Sequence, residues 1–150
     1  MIMNIQFHGA NKEMMLTTSF DMDRVVVFVP GMTGGAHSAR FLGLDKLAAE
    51  DGYACARLAL WEDAEAVKSM SYDDMLLKLA DGFSILTELG FMDVLMVGKS
   101  FGGGVTLAFE HEMISRKVLW APAIGVGHGD GNWNQVRGEK LGTIDSVLDV

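Results

Sequence analysis

Apolar residues occur along this chain in two patterns, short continuous runs and longer stretches with an apolar residue every three or four positions. The run RVVVFV at residues 24–29 has no polar alternation, which is typical of a strand buried on both faces of a parallel sheet. Residues 38–49 then carry apolar side chains at helical spacing, and this spacing predicts a helix that stops near Gly52. The next strand is predicted at residues 53–60.

Ser71 is followed by Asp73 and Asp74, a pattern that indicates the start of a helix. A serine caps the first turn, and carboxylates are favoured by the positive end of the helix dipole. Apolar residues then recur at helical spacing until Gly90. Three further elements are predicted: a strand at residues 93–97, a helix at residues 105–112 and a strand at residues 117–120.

The chain opens with two more strand patterns, at residues 2–7 and 14–20, which predict a hairpin. After the hairpin, strands and helices alternate, and helical connections of about ten or more residues imply parallel strands with right-handed crossovers. The predicted fold class is therefore α/β, a doubly wound and mainly parallel sheet preceded by an antiparallel hairpin.

Composition narrows the class of protein. The 150 residues predict a single domain, and 49% hydrophobic with 21% charged residues exclude a disordered chain. A net charge of −8 argues against a nucleic-acid partner, which normally requires a basic surface. One cysteine, Cys55, excludes an internal disulfide.

No apolar run has the length of a membrane span and no cleavable leader is recognisable, so a cytoplasmic location is expected.

The turn Gly98-Lys99-Ser100-Phe101-Gly102 carries the main chemical signal, because it fits G-x-S-x-G between a buried strand and a helix. The glycines remove Cβ atoms where the backbone reverses, and the serine is presented at a helix N-terminus, where N–H groups favour negative charge. Ser100 is thus a candidate nucleophile, and the Phe101 N–H is a candidate donor to a developing oxyanion.

A second glycine-rich turn follows the first buried strand, at residues 30–35. In enzymes with the G-x-S-x-G turn, the loop after an earlier strand supplies the other oxyanion donor. The Met32 N–H is the candidate for that role.

Gly98-Lys99-Ser100 also matches the end of a phosphate-binding loop, G-x-x-x-x-G-K-[ST]. The first glycine of that motif is missing, because Asp93 occupies its position, and the residues between are predicted strand. No G-x-G-x-x-G occurs in the chain, so a dinucleotide site has no support. Neither a metal nor an organic cofactor is implied.

With these residues, RVVVFVPGMTGG, DVLMVGKSFGGG and KVLWAPAIG, the chain resembles the α/β-hydrolase superfamily over about residues 1–125. It is most similar to the small esterase, lipase and acyl-peptidase-like members. The resemblance implies hydrolysis of an ester, thioester or amide by Ser100, with Met32 and Phe101 as oxyanion donors and a small acyl compound as substrate.

The same resemblance places the triad acid and histidine after later strands, whereas this chain ends 28 residues after Pro122. It therefore implies a C-terminally truncated hydrolase lacking the last strands. His128 and Asp130, in a glycine-rich stretch beyond the last predicted strand, are the fallback base and acid. Their adjacency makes it hard for Asp130 to orient His128 while His128 reaches Ser100. His37 is a second candidate base, and His111 is expected on the helix after Ser100, pointing away from it.

Without later strands, the strand at residues 117–120 becomes an edge, and apolar edges pair with other chains. We expect a homodimer or oligomer through this edge, or a tail at residues 126–150 that covers it or forms a cap. Two functions remain open from the sequence: a serine hydrolase, or a non-catalytic binding module or shortened inactive relic with the same fold.

Overall fold

A computed structural model describes residues 3–7, 14–18, 21–32, 43–58 and 60–120. The strands are β1 (Met3–Phe7), β2 (Met14–Thr18), β3 (Arg24–Val29), β4 (Ala54–Leu58), β5 (Asp93–Lys99) and β6 (Ile114–Trp120). The helices are α1 (Leu44–Glu50), α2 (Ala64–Ser69), α3 (Tyr72–Glu88) and α4 (Phe101–Ala108).

The six described strands form one sheet in the order β1-β2-β4-β3-β5-β6. The first two pair antiparallel, and β2 also lies antiparallel to β4, whereas β4, β3, β5 and β6 are parallel to their neighbours. The predicted hairpin and the mainly parallel α/β sheet are therefore confirmed.

Strand β3 lies in the middle of the parallel part and is buried on both faces. Val25, Val27 and Val29 contribute to the larger core cluster, in which α2, α3 and α4 participate. Val26 and Phe28 point to the opposite face and pack with Cys55, Leu44 and Ala48. Helices on both faces explain why this strand has no polar alternation, and they confirm the doubly wound arrangement.

Two predicted helices have different boundaries in the structure. The helix predicted at residues 38–49 begins only at Leu44, because Gly43 precedes it with a φ of 88°. The helix predicted at residues 105–112 is α4, which starts four residues earlier and ends at Ala108. The prediction was wrong because glycines 102–104 were assigned to the turn, although small residues let this helix approach the sheet closely.

Helix α2 was not predicted. It is six residues long, and its N-terminus is capped by the carboxylate of Asp63, which accepts a hydrogen bond from the Ala66 N–H at 2.8 Å. Asp63 and the neighbouring Glu62 are both exposed, so they lie at a solvated helix start.

Strand order creates a crevice between β3 and β5. These two strands are neighbours, paired from Arg24↔Asp93 to Val29↔Gly98. The chain leaves β3 toward β4 on one side and leaves β5 toward β6 on the other. Such a switch of direction opens a crevice at the carboxyl ends of the strands, where ligands bind in open α/β sheets.

Candidate active site

Ser100 lies between the last residue of β5 and the first residue of α4, at the crevice. Its φ is 53° and its ψ is −118°, and it is exposed to solvent. In the part of the chain that the structure describes, no other non-glycine residue has a positive φ. Such a conformation costs about 1–3 kcal/mol and persists only where surrounding packing enforces it.

The two glycines that flank Ser100 explain how the turn is enforced. A Cβ at Gly98 would collide with the Thr106 hydroxyl and would lie 2.6 Å from the carbonyl oxygen of Gly102. A Cβ at Gly102 would collide with the carbonyl oxygens of Val29 and Pro30. Strand, turn and helix therefore approach one another so closely that neither position has room for a side chain.

Backbone hydrogen bonds fix the orientation of the Ser100 peptide groups. Its N–H donates to the carbonyl of Trp120 at 3.0 Å, which continues the β5–β6 pairing past the end of β5. Its carbonyl accepts from the Gly103 N–H at 3.0 Å in the first turn of α4. Phe101 is the first residue of that helix, where backbone N–H groups point toward the helix N-terminus.

The turn after β3 lies directly beside Ser100. A Cβ built on Gly31 would be 3.5 Å from the Ser100 Cβ and 3.7 Å from the Lys99 carbonyl oxygen, both ordinary contact distances. Met32, the next residue, is half-buried and packs against the larger core cluster. The structure thus brings together three of the sequence-predicted site residues: Met32, Ser100 and Phe101.

Trp61 also belongs to this site, and the sequence analysis missed it. Its side chain is only 2% exposed. The indole Nε1–H donates to the Gly31 carbonyl oxygen at 3.0 Å, and the indole packs edge-on against the Phe101 ring with centroids 5.5 Å apart. A tryptophan at the end of a buried strand was the available signal, because a buried indole N–H needs an acceptor.

The predicted base and acid, His128 and Asp130, lie outside the described residues, as does His37. His111 is described, and its predicted place on a helix was wrong, since α4 ends at Ala108. Its ring packs against Phe83 and Phe109, and its Nδ1 accepts from the Met113 N–H at 3.2 Å. It precedes β6 and so lies at the amino edge of the sheet, about 20 Å of strand away from Ser100.

Cys55 carries the one thiol of the sequence, and its surroundings make it unreactive. The thiol is buried on β4, and burial, with a contribution from the Asp45 carboxylate, raises its pKa to about 12. Since only the thiolate is nucleophilic, Cys55 is inert at neutral pH. Within the described ranges, no three His, Cys, Asp or Glu side chains come together as metal ligands would.

None of the helices in the described part of the chain combines the length and the apolar character that a membrane crossing requires.

Structures described as a dienelactone hydrolase and as an esterase are among the solved structures to which this chain is similar. A dienelactone hydrolase from Anabaena variabilis superposes with a TM-score of 0.69 at 17% identity, over 81% of this chain and 64% of its own. An esterase of Pyrococcus furiosus matches with a TM-score of 0.64 at 16% identity, over 83% of this chain and 50% of its own. Est1E from Butyrivibrio proteoclasticus matches with a TM-score of 0.63 at 15% identity, over 80% of this chain and 51% of its own.

Sequence comparisons add nothing to this result, since no protein-family model and no curated protein matches the chain. The chain spans between half and two-thirds of the length of these three solved structures. At these identities the likeness concerns the fold alone. The described part of this chain has the fold of the α/β-hydrolase superfamily.

Proposed function

We propose that this chain is a serine hydrolase that cleaves an ester, thioester or amide of a small acyl compound through Ser100. The observation that carries the proposal is the backbone of Ser100, an exposed serine held at a φ of 53° between two glycines. Packing maintains that strained conformation at one turn, and strain of this kind clusters at functional sites. The hydrolase fold supports the same reaction class.

In the proposed reaction, the Ser100 Oγ attacks the acyl carbon and its proton passes to a base. The carbonyl oxygen becomes an oxyanion, which accepts hydrogen bonds from the Met32 and Phe101 N–H groups. Collapse of the adduct breaks the bond to the leaving group, which takes the proton from the base. Water then attacks the acyl-enzyme by the same steps, and the carboxylic acid is released.

We assign the base to His128 and its partner to Asp130, on sequence grounds alone. A serine at its free pKa is a weak nucleophile, so the reaction needs such a base within hydrogen-bonding reach. His37 is the alternative base, and the two histidines are distinguished by substitution.

The test is labelling with a fluorophosphonate probe, read by intact mass. The Ser100 Oγ would attack phosphorus, fluoride would leave and the hydroxyl proton would pass to the base, so only an activated serine reacts. We expect one adduct on the wild type and none on Ser100→Ala. Ser84→Ala is the matched control, because the Ser84 hydroxyl only bonds the Ala80 carbonyl on the exposed side of α3.

His128→Ala and His37→Ala identify the base, since loss of labelling in one of them assigns it. A wild type that circular dichroism shows to be folded, yet that takes up no probe, would contradict the proposal. The chain would then be the non-catalytic binding module, or inactive relic, that the sequence left open.

A further inference from the structure

The buried indole of Trp61 joins the two turns of the candidate site. One turn contains Gly31, whose carbonyl oxygen accepts the indole N–H at 3.0 Å. The other contains Phe101, whose ring lies against the indole at an interplanar angle of 65°. Trp61 follows β4, which lies next to β3 on the side away from β5. It therefore approaches the two turns from the β4 side of the β3–β5 crevice.

The hydrogen bond of Trp61 determines which way one particular peptide group faces. The Gly31 carbonyl and the Met32 N–H belong to the same peptide, and a trans peptide directs these two groups to opposite sides. Because the carbonyl is held toward the indole, the Met32 N–H is directed away from it. A Cβ built on Gly31 would be 3.5 Å from the Ser100 Cβ, so this peptide borders the serine.

A rotation of the Gly31–Met32 peptide would exchange the positions of its N–H and its carbonyl oxygen. The carbonyl oxygen would replace the N–H, and a negative oxygen facing a developing oxyanion repels it instead of stabilising it. Rotation would also leave the Trp61 N–H unsatisfied at a side chain that is 2% exposed, which is unfavourable. The buried indole thus disfavours the wrong orientation.

We propose that Trp61 is a positioning residue that orients the Gly31–Met32 peptide so that the Met32 N–H serves as oxyanion donor. This inference rests on the proposed hydrolase function. Trp61 touches neither substrate nor reacting atoms, and it acts through the peptide that it holds. Loss of an oxyanion donor lowers turnover by about 10²–10³-fold, so loss of its orientation has an effect up to that size.

The test removes the indole N–H and keeps the ring. Trp61→Phe does this with a smaller ring, and incorporation of β-(3-benzothienyl)alanine at position 61 replaces the N–H by sulfur in a side chain of nearly the same shape. The second variant preserves packing if the first fails to fold. Tyr72→Phe is the control, since it deletes another buried aromatic donor, whose hydroxyl bonds the Gly104 carbonyl at 3.4 Å.

Two quantities are measured on each variant. The first is fluorophosphonate labelling over a range of probe concentrations, which separates the limiting rate from the probe affinity. The second is the carbonyl ¹³C resonance of Gly31 in selectively labelled protein. We expect the Trp61 variants to lower the limiting rate about 10- to 100-fold with unchanged probe affinity. The Gly31 resonance should move upfield, while Tyr72→Phe should leave both quantities close to wild type.

The outcomes separate the two proposals. A limiting rate that stays at the wild-type value in the benzothienyl variant would overturn the role of Trp61. The role of Trp61 would also be overturned if Tyr72→Phe lowered the limiting rate and the probe affinity by the same amounts as the Trp61 variants. Equal losses in variant and control are the signature of general destabilisation. If the wild type takes up no probe, the hydrolase function and the oxyanion role fall together. The Gly31 resonance then still decides whether Trp61 orients the peptide.

Discussion

The backbone of Ser100 has an unfavourable conformation, and this conformation presents the hydroxyl at the end of β5. The flanking contacts explain why this conformation is kept, because Gly98 touches Thr106 and Gly102 touches the end of β3. Any relaxation of the turn would break the close packing of α4 on the sheet. At the scale of a residue, the candidate nucleophile is therefore defined by its dihedral angles as much as by its side chain.

The strain at Ser100 predicts an unusual effect of glycine. Ser100→Gly should be more stable than Ser100→Ala by about 1 kcal/mol, because relief of about 1–3 kcal/mol exceeds the extra chain entropy of glycine. Chemical denaturation of both variants measures the difference. The same pair of substitutions at Ser84, inside α3, should give the opposite sign, since glycine is unfavourable in a helix. Equal signs at the two positions would contradict a strained Ser100.

Helix α3 shows how a single element can be read from local sequence. Its predicted start at Ser71 is confirmed, with a reciprocal capping box in which the Ser71 hydroxyl accepts from the Asp74 N–H at 3.1 Å. The Ser71 N–H in turn donates to the Asp74 carboxylate at 3.0 Å. These bonds involve residues three positions apart, so they need no information from the rest of the fold.

The capping box predicts a pH dependence. Hydrogen bonds from Ser71 lower the pKa of Asp74 below its ordinary value, so its ionised form is favoured in the folded state. The resulting stabilisation is complete above about pH 4, the ordinary range for aspartate, and is lost as pH falls through the lower folded pKa. The stability difference between wild type and Asp74→Asn should thus be constant near neutral pH and shrink in acid, as followed by thermal unfolding. In a Ser71→Ala background the dependence should weaken. A difference that stays constant down to pH 3 would refute this assignment.

At the scale of the whole molecule, β6 is an edge strand of the described sheet. The sequence predicted an edge at this strand. The strand begins three residues earlier than expected, since it also includes Ile114, Ser115 and Arg116. Its second half exposes Val118 and Trp120, at 43% and 49%. We keep the predicted homodimer or oligomer through this strand as a proposal.

Light scattering during size-exclusion chromatography tests that proposal. We expect an oligomer whose population rises with concentration, and Val118→Lys should shift it toward the monomer, because charged side chains discourage edge pairing. Leu77→Lys is the matched control, an exposed apolar residue on α3 that should have no effect. A wild type that is monomeric at every concentration would rule the proposal out.

Local and periodic signals in the sequence determined the hairpin, the buried strand β3, the start of α3 and the candidate serine. Each depends on side-chain alternation or on residues a few positions apart, and such patterns survive without knowledge of the tertiary fold. The limits of α1 and α4 were harder to predict. Gly43 takes a left-handed conformation, and glycines 102–104 are helical, and both outcomes depend on what packs against them.

Only the tertiary structure decided how the site is assembled. Strand order places Gly31 beside Ser100, although 69 positions separate them in the chain, and it brings Trp61 against both turns. It also places His111 at the far edge of the sheet, because β5 and β6 are parallel. The sequence contains the chemical groups, and the pairing of β3 with β5 determines which of them meet. Contacts between residues so distant in the chain arise only when the strands pair into the sheet.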